Sequence, residues 1–551
     1  MMITKKITRV LLFTLISFSI SNAQKITFPL IWKSKSDNKT NFLTTVSSDG
    51  SEVIATTRDE ICVLQGSDGS KIWSGDLETI AGMKTVDLQK YMEDAGVIFV
   101  FNKKSGNDQM VCIDSKTGKQ LWYTEKYQGI TGENLCYIPE LKAFGIYLKD
   151  GIDMLDARTG ELKWTLSAFK GAIAEWTYFP DTKELLILNY KPNTLQSYFS
   201  EFKNQLMLVN AETGAVKWET QYGGVIETKI ITREPVVDWM VDREKNKILV
   251  QLDGLQVFDL KTGNLVWKAE LNMSLYKGTL FNSQNQIYDA VANPLVNGND
   301  VYLVAFSAKG EKKTLKKYDL TTGNLIWTNE EIDDKKTIIP QLSFVDGMIV
   351  AQIGGYVNLQ NRKTDSNGTA EMSKWEWEGP FGLKAFDASS GKMIWQSEKF
   401  KGLVTNLIVN KNNIYVASEE SLFKLDYKTG TPAAEIKIKT AKVGEPRKLL
   451  DFNDKIVALC QDGIFAINTQ NANIEYSVEI KDMKEEYFVR KDNYFMKNKE
   501  ELMAFDFNTG KIKGIFEFEK GEVKWKLTKD GKFIYLFRKG EGEISKYSTT
   551  F

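Results

Sequence analysis

The stretch Asp259-Leu260-Lys261-Thr262-Gly263-Asn264-Leu265-Val266-Trp267 decides the fold. It follows Leu255-Gln256-Val257-Phe258, which alternates like a β-strand, and it leads into a second strand that contains the tryptophan. The aspartate can cap a turn with its short carboxylate, and the glycine supplies the positive φ that closes a short hairpin. The stretch therefore predicts two antiparallel strands that are joined by a tight turn.

The same pattern, D-x-x-T-G-x-x-x-W, recurs along the chain, mostly at intervals of about 40–50 residues. Full copies and close variants place their tryptophan at Trp73, Trp122, Trp164, Trp218, Trp267, Trp327 and Trp395. Weaker copies without the tryptophan follow at 426–430, 468–471 and 506–510. Repetition of one hairpin unit indicates an architecture in which each unit packs on the next.

One unit shows clearly which strands accompany the hairpin. Residues 404–409, 413–417 and 421–425 are three strand-like runs, and a fourth strand follows the turn at Gly430. Four short antiparallel strands per unit, separated by Gly, Asn and Asp turns, are typical of a propeller blade. The predicted fold class is therefore all-β: a β-propeller of four-stranded antiparallel blades, with about ten or eleven repeat units.

The two ends of the chain carry the material for one shared blade. Residues 523–527, 533–537 and 544–547 predict a last unit that lacks its outer strand, and the run 26–32, which contains Trp32, resembles that strand. Pairing of the two ends would close the ring and cover both edges. We predict a leader at residues 1–23 and one propeller over residues 24–551. The alternative is two rings with a boundary near residue 400, where the repeats weaken.

The first residues have the pattern of a secretion signal. Lys5, Lys6 and Arg9 precede the apolar run 10–20, and small residues end at Ala23 before Gln24. The apolar run is too short to span a bilayer as a stable helix, and no later stretch of the sequence is long and uncharged enough. We expect a periplasmic or secreted protein that is cut between Ala23 and Gln24 and has no membrane-spanning segment.

Composition excludes several classes of function. The 72 basic residues equal the 72 acidic residues, so there is no basic excess that would favour nucleic-acid binding. The chain has no histidine, which excludes Ser-His-Asp catalysis and histidine-ligated zinc. The four cysteines have no C-x-x-C spacing, and we interpret them as buried free thiols: Cys62, Cys112, Cys136 and Cys460.

The hairpin array resembles the pyrroloquinoline-quinone (PQQ)-like repeat family over most of the chain. One branch of that family contains the quinoprotein dehydrogenases, whose propeller holds PQQ and a calcium ion. The other branch contains BamB-like propellers, which need no cofactor and serve as protein-docking scaffolds. The dehydrogenase branch implies a carboxylate base, a set of calcium ligands, an aromatic side chain beneath the quinone and often a disulfide between adjacent cysteines. This sequence has no adjacent cysteines.

Two acid–aromatic pairs on predicted inner strands are the candidate cofactor-binding residues: Glu175-Trp176 and Asp238-Trp239. Under the dehydrogenase resemblance, a tryptophan would lie beneath the quinone and the neighbouring acid would bind calcium. The other interpretation is that these tryptophans pack between blades while the acids face the channel. The sequence assigns no catalytic residue and no metal site.

We therefore interpret the chain as an exported, non-catalytic propeller that binds a protein or a glycan of the cell envelope, with no cofactor and no nucleic-acid partner. The alternative is a dehydrogenase that depends on PQQ and calcium. A glycan-processing enzyme with paired carboxylates is a third class that the lack of histidine leaves open. Residues 189–205, 270–300 and 354–380 exceed the size of a blade and are the candidate functional loops.

Overall fold

The structure is a computed structural model, and it describes most of the chain between residues 27 and 549. The segments outside its description in that span are 36–40, 58–59, 104–107, 129, 131–134, 149–150, 192–201, 230–233, 253, 270–282, 289, 307–312, 333–337, 366–367, 481–486, 491–492, 498–500, 518–522 and 539–541. The predicted leader and its cleavage site also lie outside the described residues.

The described residues form an all-β propeller ring of eleven blades, as predicted. We number the blades in chain order. In blades 1 to 5 the strands, from the first to the fourth, are Asn41–Val46, Glu52–Thr57, Glu60–Gln65, Lys71–Asp76; Leu88–Met92, Val97–Asn102, Gln109–Asp114, Gln120–Thr124; Leu135–Ile138, Ala143–Leu148, Gly151–Asp156, Leu162–Leu166; Ala172–Phe179, Glu184–Tyr190, Leu206–Asn210, Val216–Thr220; and Asp238–Asp242, Lys247–Leu252, Gly254–Asp259, Leu265–Ala269.

The remaining blades follow the same antiparallel order. In blades 6 to 10 the strands are Leu295–Asn297, Asp300–Phe306, Lys313–Asp319, Leu325–Asn329; Leu342–Val345, Met348–Asp365, Gly368–Asp387, Met393–Gln396; Ile408–Asn410, Asn413–Ser418, Ser421–Asp426, Pro432–Lys437; Pro446–Phe452, Lys455–Cys460, Gly463–Asn468, Ile474–Glu479; and Tyr487–Arg490, Asn493–Lys497, Glu501–Asp506, Lys511–Glu517. Blade 11 consists of Val523–Leu527, Phe533–Arg538, Glu543–Ser548 and, as its outer strand, Leu30–Lys35.

A few elements lie outside this scheme. The strand Ser283–Tyr288 adds a fifth strand to blade 7, and Glu227–Thr228 pairs with Pro235–Val236 as a separate two-stranded sheet. One short α-helix and three 3₁₀ turns connect strands or blades at Leu77–Ala81, Glu93–Ala95, Pro139–Leu141 and Lys439–Ala441.

The core lies between blades. In blade 2 every residue of the second and third strands, Val97–Asn102 and Gln109–Asp114, is buried, because both faces of the sheet contact a neighbouring blade. The fourth strands alternate between exposed and half-buried residues, as expected at the rim of the ring. The innermost strands are only partly buried and line the central channel.

The repeated turn forms as the sequence predicts. The Asp259 carboxylate accepts hydrogen bonds from the backbone N–H groups of Lys261 and Thr262 and from the Thr262 hydroxyl. The Gly263 N–H donates to the Asp259 carbonyl at 2.8 Å, and Gly263 has a φ of 73°. All the interactions that define this turn lie within five residues, so it forms in the same way in each copy.

The motif tryptophan joins one blade to the next. Trp267 donates its Nε1–H to the Leu320 carbonyl at 2.8 Å, and its ring lies over Gly323, where a Cβ atom would be 2.3 Å from the Trp267 ring. Eight seams share this arrangement, with the pairs Trp32–Gly69, Trp73–Gly118, Trp122–Gly160, Trp164–Gly214, Trp218–Gly263, Trp267–Gly323, Trp327–Gly391 and Trp395–Gly430. The motif glycine therefore has two functions: it adopts a positive φ, and it makes room for the indole of the preceding blade.

One turn differs from its sequence interpretation. The sequence suggested a degenerate turn that ends at Asn471, but the left-handed residue is Ala472, with a φ of 58°, whose N–H donates to the Asn468 carbonyl. The preceding blade carries Ala434 where a tryptophan would stand, so no indole covers Ala472. Instead, Tyr415 and Lys424 donate to the Thr469 carbonyl, each at 3.0 Å.

The ring closes by pairing of the two ends, as predicted. The strand Leu30–Lys35 runs antiparallel to Glu543–Ser548 and completes blade 11. Trp32 then donates to the Gly66 carbonyl of blade 1 at 2.9 Å, and the Tyr535 hydroxyl donates to the Gly50 carbonyl at 2.7 Å. The seam near residue 400 has the same contact, since Trp395 donates to the Tyr427 carbonyl at 2.8 Å.

Candidate functional site

The two predicted acids lie on neighbouring innermost strands and are close enough to interact. Glu175 belongs to the first strand of blade 4 and Asp238 begins the first strand of blade 5. Partial burial raises the pKa of the Glu175 carboxyl, and the negative charge of Asp238 raises it further. The structure therefore places Asp238 on the neighbouring innermost strand, near enough for its charge to act on Glu175.

The two tryptophans of these pairs lie at different seams. Trp239 is half-buried and packs against the core between blades 4 and 5. Trp176 is 37% exposed, and its cross-strand partner Ile187 belongs to the core between blades 3 and 4. The rings therefore do not share one wall of the channel.

The residues near the two acids supply part of the oxygen-ligand set that a calcium ion needs. Gln251 lies opposite Asp238 in the sheet, and its Oε1 atom is buried and has no hydrogen-bond partner. Carboxylate and amide oxygens suit calcium, but the ion takes about six to eight of them. Within the part of the chain that the structure describes, no three Asp, Glu or Cys side chains form a group that could hold a metal. These residues therefore do not make a complete calcium site.

All four cysteines are buried free thiols in the structure: Cys62, Cys112, Cys136 and Cys460. Burial raises the pKa of Cys62 to about 11, and the pKa values of Cys136 and Cys460 to about 12. A thiol with such a pKa is protonated at neutral pH and is a poor nucleophile. These side chains are packing residues of the blades.

Sequence reasoning missed a cleft between blades 7 and 8. A cavity of about 200 Å³ lies between the loop 397–401, which follows the outer strand of blade 7, and the blade 8 face that carries Ser421, Phe423 and Glu435. The rings of Phe400 and Phe423 meet edge to face with centroids 5.1 Å apart, and both are half-buried. The sequence carries no signal for this cleft, because Phe400 and Phe423 fit the pattern of ordinary core residues.

A polar triad lies beside these rings. The Ser421 hydroxyl donates to Glu435 Oε1 at 2.9 Å, and Lys437 donates to Ser421 at 3.2 Å and forms an ion pair with Glu435. The contacts with Lys437 and Ser421 lower the pKa of the Glu435 carboxyl, which keeps it ionised at neutral pH. The cleft therefore offers an aromatic wall next to a fixed carboxylate, hydroxyl and ammonium.

Sequence reasoning also missed an apolar stretch of the rim. On blades 5, 6 and 7 the second and third residues after the motif glycine are both apolar, and they are 37–50% exposed: Leu265, Val266, Leu325, Ile326, Met393 and Ile394. We call these six residues the apolar rim. Blades 3 and 4 instead pair Leu162 with Lys163 and Val216 with Lys217 at these positions. The residue before the motif tryptophan is also apolar in blades 1 and 2, at Ile72 and Leu121, so this position alone does not reveal the apolar rim in the sequence.

The candidate functional loop at 354–380 is a β-ribbon. The second and third strands of blade 7 continue past the blade as Met348–Asp365 and Gly368–Asp387, and Ser283–Tyr288 pairs along residues 358–363. Trp377 on this ribbon is 61% exposed, and its ring lies 5.8 Å from that of Phe381. The ribbon therefore extends from the blade that lies at one end of the apolar rim and at one side of the cleft.

A family model described as outer membrane protein assembly factor BamB matches residues 29–167 and 148–352, which together exceed half of the chain. BamB from Moraxella catarrhalis is 14% identical over 78% of this chain and 96% of its own, with a TM-score of 0.23. A structure titled "Dihydro-heme d1 dehydrogenase NirN in complex with DHE" is 11% identical over 71% of this chain and 74% of its own, with a TM-score of 0.32. A eukaryotic initiation factor is 10% identical over 76% of this chain and 95% of its own, with a TM-score of 0.40.

No curated protein matches the chain. None of the helices among the described residues is both long enough and apolar enough to cross a membrane.

Proposed function

This chain belongs to the PQQ-like repeat family described as outer membrane protein assembly factor BamB, and from that membership we propose that it is an exported, non-catalytic scaffold that binds a protein or a glycan of the cell envelope. The residues of the repeat support this proposal. Their side chains cap turns and join blades, as Asp259 and Trp267 do, so the repeat builds the ring and leaves binding to other surfaces.

The apolar rim is the observation that carries the proposal. Six exposed apolar side chains at equivalent positions of three adjacent blades form one continuous stretch of the rim, whereas blades 3 and 4 place a lysine there and only a separate pair, Leu30 and Ile31, repeats the feature among the described residues, on blade 11. The buried centre of a protein interface is depleted of charged residues and is more apolar than the rest of the protein surface. A partner protein with an apolar face would bury these residues at the rim of blades 5 to 7.

Crosslinking in the cell envelope tests this function. The purified protein with an affinity tag is compared with Leu325→Lys/Ile326→Lys, which introduces charge at the centre of the apolar rim. We expect a partner to be recovered by the unaltered protein and at least tenfold less by the double variant. The matched control is Leu162→Lys on blade 3, where a lysine already stands at position 163. Failure to recover a partner, or equal recovery by the rim variant, would contradict the proposal.

A PQQ- and calcium-dependent dehydrogenase is the second candidate function. The proximity of Glu175 and Asp238 beside the unpartnered Gln251 Oε1 is the observation that favours it. The test is incubation of the purified protein with PQQ and Ca²⁺, followed by the quinone absorbance spectrum and a dye-linked alcohol oxidation assay. Quinone absorbance together with dye reduction would overturn the non-catalytic proposal, and the lack of both would remove this candidate.

We also propose that residues 1–23 are a leader and that residues 24–551 act as one propeller domain in the periplasm or outside the cell. The support for the leader is the basic and apolar pattern that ends at Ala23. N-terminal sequencing of the protein from fractionated cells tests this directly. A first residue of Gln24 in the periplasmic or secreted fraction is expected, and an uncleaved cytoplasmic chain would contradict it.

A further inference from the structure

We propose that the cleft between blades 7 and 8 is a saccharide-binding site. This inference deepens the proposed scaffold function by assigning a ligand class to one surface, and it rests on that function. The site is built from the Phe400 and Phe423 rings, the Ser421–Glu435–Lys437 triad and the loop 397–401.

The seam between blades 3 and 4 shows how the space that forms this cleft can be filled elsewhere in the ring. At several seams the residue five positions after the motif tryptophan meets the residue three positions before the next motif aspartate or asparagine, as Tyr127 meets Asp153 and Gly223 meets Gln256. Between blades 3 and 4 these residues are Phe169 and Met207, which are both fully buried and fill the space. Between blades 7 and 8 they are Phe400 and Phe423, which are half-buried and leave the cavity open.

The apolar wall of the cleft suits the C–H face of a sugar ring. Phe400 is held in place by antiparallel pairing with Phe381, whose carbonyl accepts the Phe400 N–H at 3.1 Å. The Phe381 ring in turn contacts the exposed Trp377 at 5.8 Å. Phe381 is buried and does not line the cavity, so Phe400 and Phe423 are the rings that a ligand in the cavity would meet. Aromatic rings bind apolar faces of a ligand without requiring charge.

The polar wall suits hydroxyl groups. A sugar hydroxyl both donates and accepts, and the cleft places a carboxylate acceptor, an ammonium donor and a hydroxyl within hydrogen-bond distance of one another. Ser421 is buried and contacts both Glu435 and Lys437, whereas the charged ends of those two side chains are exposed and can turn toward a ligand in the cleft.

The charge of the cleft favours a neutral ligand. Three acidic and three basic residues line it, and their charges balance: Glu398, Glu419, Glu435, Lys399, Lys401 and Lys437. An anion or a cation would meet groups of its own sign on this surface. A neutral polyhydroxy ligand with one apolar face meets both walls, and the volume of about 200 Å³ accommodates a single sugar ring.

Ligand-observed saturation-transfer NMR on the full-length protein tests the inference. The probes are chitobiose, mannobiose, maltose and cellobiose, each in millimolar excess. We expect saturation transfer to at least one of them, with the ring C–H protons receiving the most. Phe423→Leu keeps apolar volume but removes the ring, and Glu435→Gln removes the charge. Each should weaken binding at least tenfold while the melting temperature stays close to that of the unaltered protein.

Two matched controls accompany these variants. Glu219→Gln changes the equivalent position of blade 4, where the carboxylate accepts from Gln205 at 2.9 Å, and Tyr123→Leu removes an exposed aromatic ring elsewhere on the rim. Both should bind as the unaltered protein does. Lack of saturation transfer to all four sugars, or binding that persists in Phe423→Leu and Glu435→Gln, would overturn the inference. Recovery of a crosslinked protein partner would still support the scaffold function in that case.

Discussion

At the scale of single residues, the motif glycine is the position where backbone and packing requirements coincide. Gly323 has a φ of 73°, and a Cβ atom there would lie 2.3 Å from the ring of Trp267. Gly347 has a similar φ of 78° but has no atom within 4 Å of its Cβ position. These two glycines therefore separate the cost of backbone strain from the cost of displacing an indole.

We expect Gly323→Ala to lower the free energy of unfolding by about 2–4 kcal/mol, because the positive φ and the displaced ring both contribute. Gly347→Ala should lower the free energy of unfolding by only about 1–2 kcal/mol, because only the backbone strain of the positive φ contributes there. Urea unfolding followed by tryptophan fluorescence measures both. Equal costs for the two variants would show that the indole does not occupy the space over Gly323.

The turn aspartates give a second prediction at this scale. Hydrogen bonds to the Asp319 carboxylate, above all the one from the Thr322 N–H, lower its pKa. The ionised carboxylate therefore contributes stability above about pH 4, and this contribution is lost as the pH falls through the folded-state pKa of Asp319. Asn210 makes the same three contacts in blade 4 without a charge. Asp319→Asn should keep these three contacts and lose only the hydrogen bond that Asn299 Nδ2–H donates to Asp319 Oδ2, so it should cost little at pH 7 and reduce the loss of stability in acid, whereas Asp319→Ala should cost about 1 kcal/mol at pH 7.

Thermal unfolding of both Asp319 variants between pH 2.5 and pH 7 tests this. The difference in melting temperature between the unaltered protein and Asp319→Asn should shrink as the pH falls. A constant difference over that range would contradict the assigned role of the carboxylate.

Glu175 has the opposite dependence on pH. Burial, together with the charge of Asp238, raises the pKa of its carboxyl, so the ionised form destabilises the fold, and stability is lost as the pH rises from the ordinary value near 4.5 through the folded-state pKa. Glu175→Gln should raise the melting temperature at pH 7 and have a smaller effect at pH 4. Glu184→Gln on the same blade is the control. Lys217 forms an ion pair with Glu184, so removal of the Glu184 carboxylate should lower the melting temperature. A Glu175→Gln effect that does not depend on pH would exclude the interaction with Asp238.

At the scale of the blade, the seam between blades 8 and 9 shows that the tryptophan and the glycine depend on each other. Blade 8 has Ala434 at the tryptophan position, and blade 9 has Ala472 at the glycine position. A Cβ atom is tolerated at the turn where no indole covers it. The carbonyl of Thr469 is still satisfied, by Tyr415 and Lys424.

A double-mutant cycle measures this dependence. Ala434→Trp alone should destabilise the protein, because the new indole meets the Cβ atom of Ala472. Ala434→Trp/Ala472→Gly should recover the loss, and the coupling between the two positions should be about 1–3 kcal/mol. Thermal unfolding of the four proteins provides the measurement, and additive effects would show that the two positions act independently.

The sequence predicted the blades well because the turn that defines each blade depends on contacts between residues that are close in the sequence. The turn that begins at Asp259 is defined by contacts within five residues, and these repeat along the chain. The predicted turn at Asn471 was wrong by one residue, because asparagine adopts a left-handed conformation more readily than alanine and the missing indole was not considered. The proximity of Glu175 and Asp238 needed the structure, because it depends on how two blades meet.

The cleft and the apolar rim were beyond the sequence for the same reason. Phe400 and Phe423 look like ordinary core residues in the sequence, and only the distance between blades 7 and 8 leaves them half-buried. Leu325 and Ile326 look like strand residues of a buried sheet, and their exposure follows from their place on the outermost strand. Sites between repeats are set by the approach of one unit to another, which local patterns do not encode.

At the scale of the whole molecule, the ring depends on a strand that comes from the other end of the chain. Deletion of residues 27–35 removes the outer strand of blade 11 and the Trp32 contact with blade 1. The exposed edge of Glu543–Ser548 should then pair with other molecules. We expect a lower melting temperature and the appearance of dimers or larger species in size-exclusion chromatography with light scattering.

Addition of a peptide with the sequence of residues 27–35 to the shortened protein is the control for this deletion. The peptide should restore the monomer, while a scrambled peptide should not. A shortened protein that remains monomeric with an unchanged melting temperature would show that the terminal strand does not hold the ring closed.

The pairing of Leu30–Lys35 with Glu543–Ser548 also orders events during folding. The strand Leu30–Lys35 has no partner until almost the whole chain has reached the compartment in which it folds, whereas blades 1 to 10 each contain all of their own strands. Closure joins residues that are far apart in the sequence, so we expect it to be the last step of folding and a slow one. Until then the ring has one unpaired edge at each end, and self-association is the main hazard before the final strands arrive.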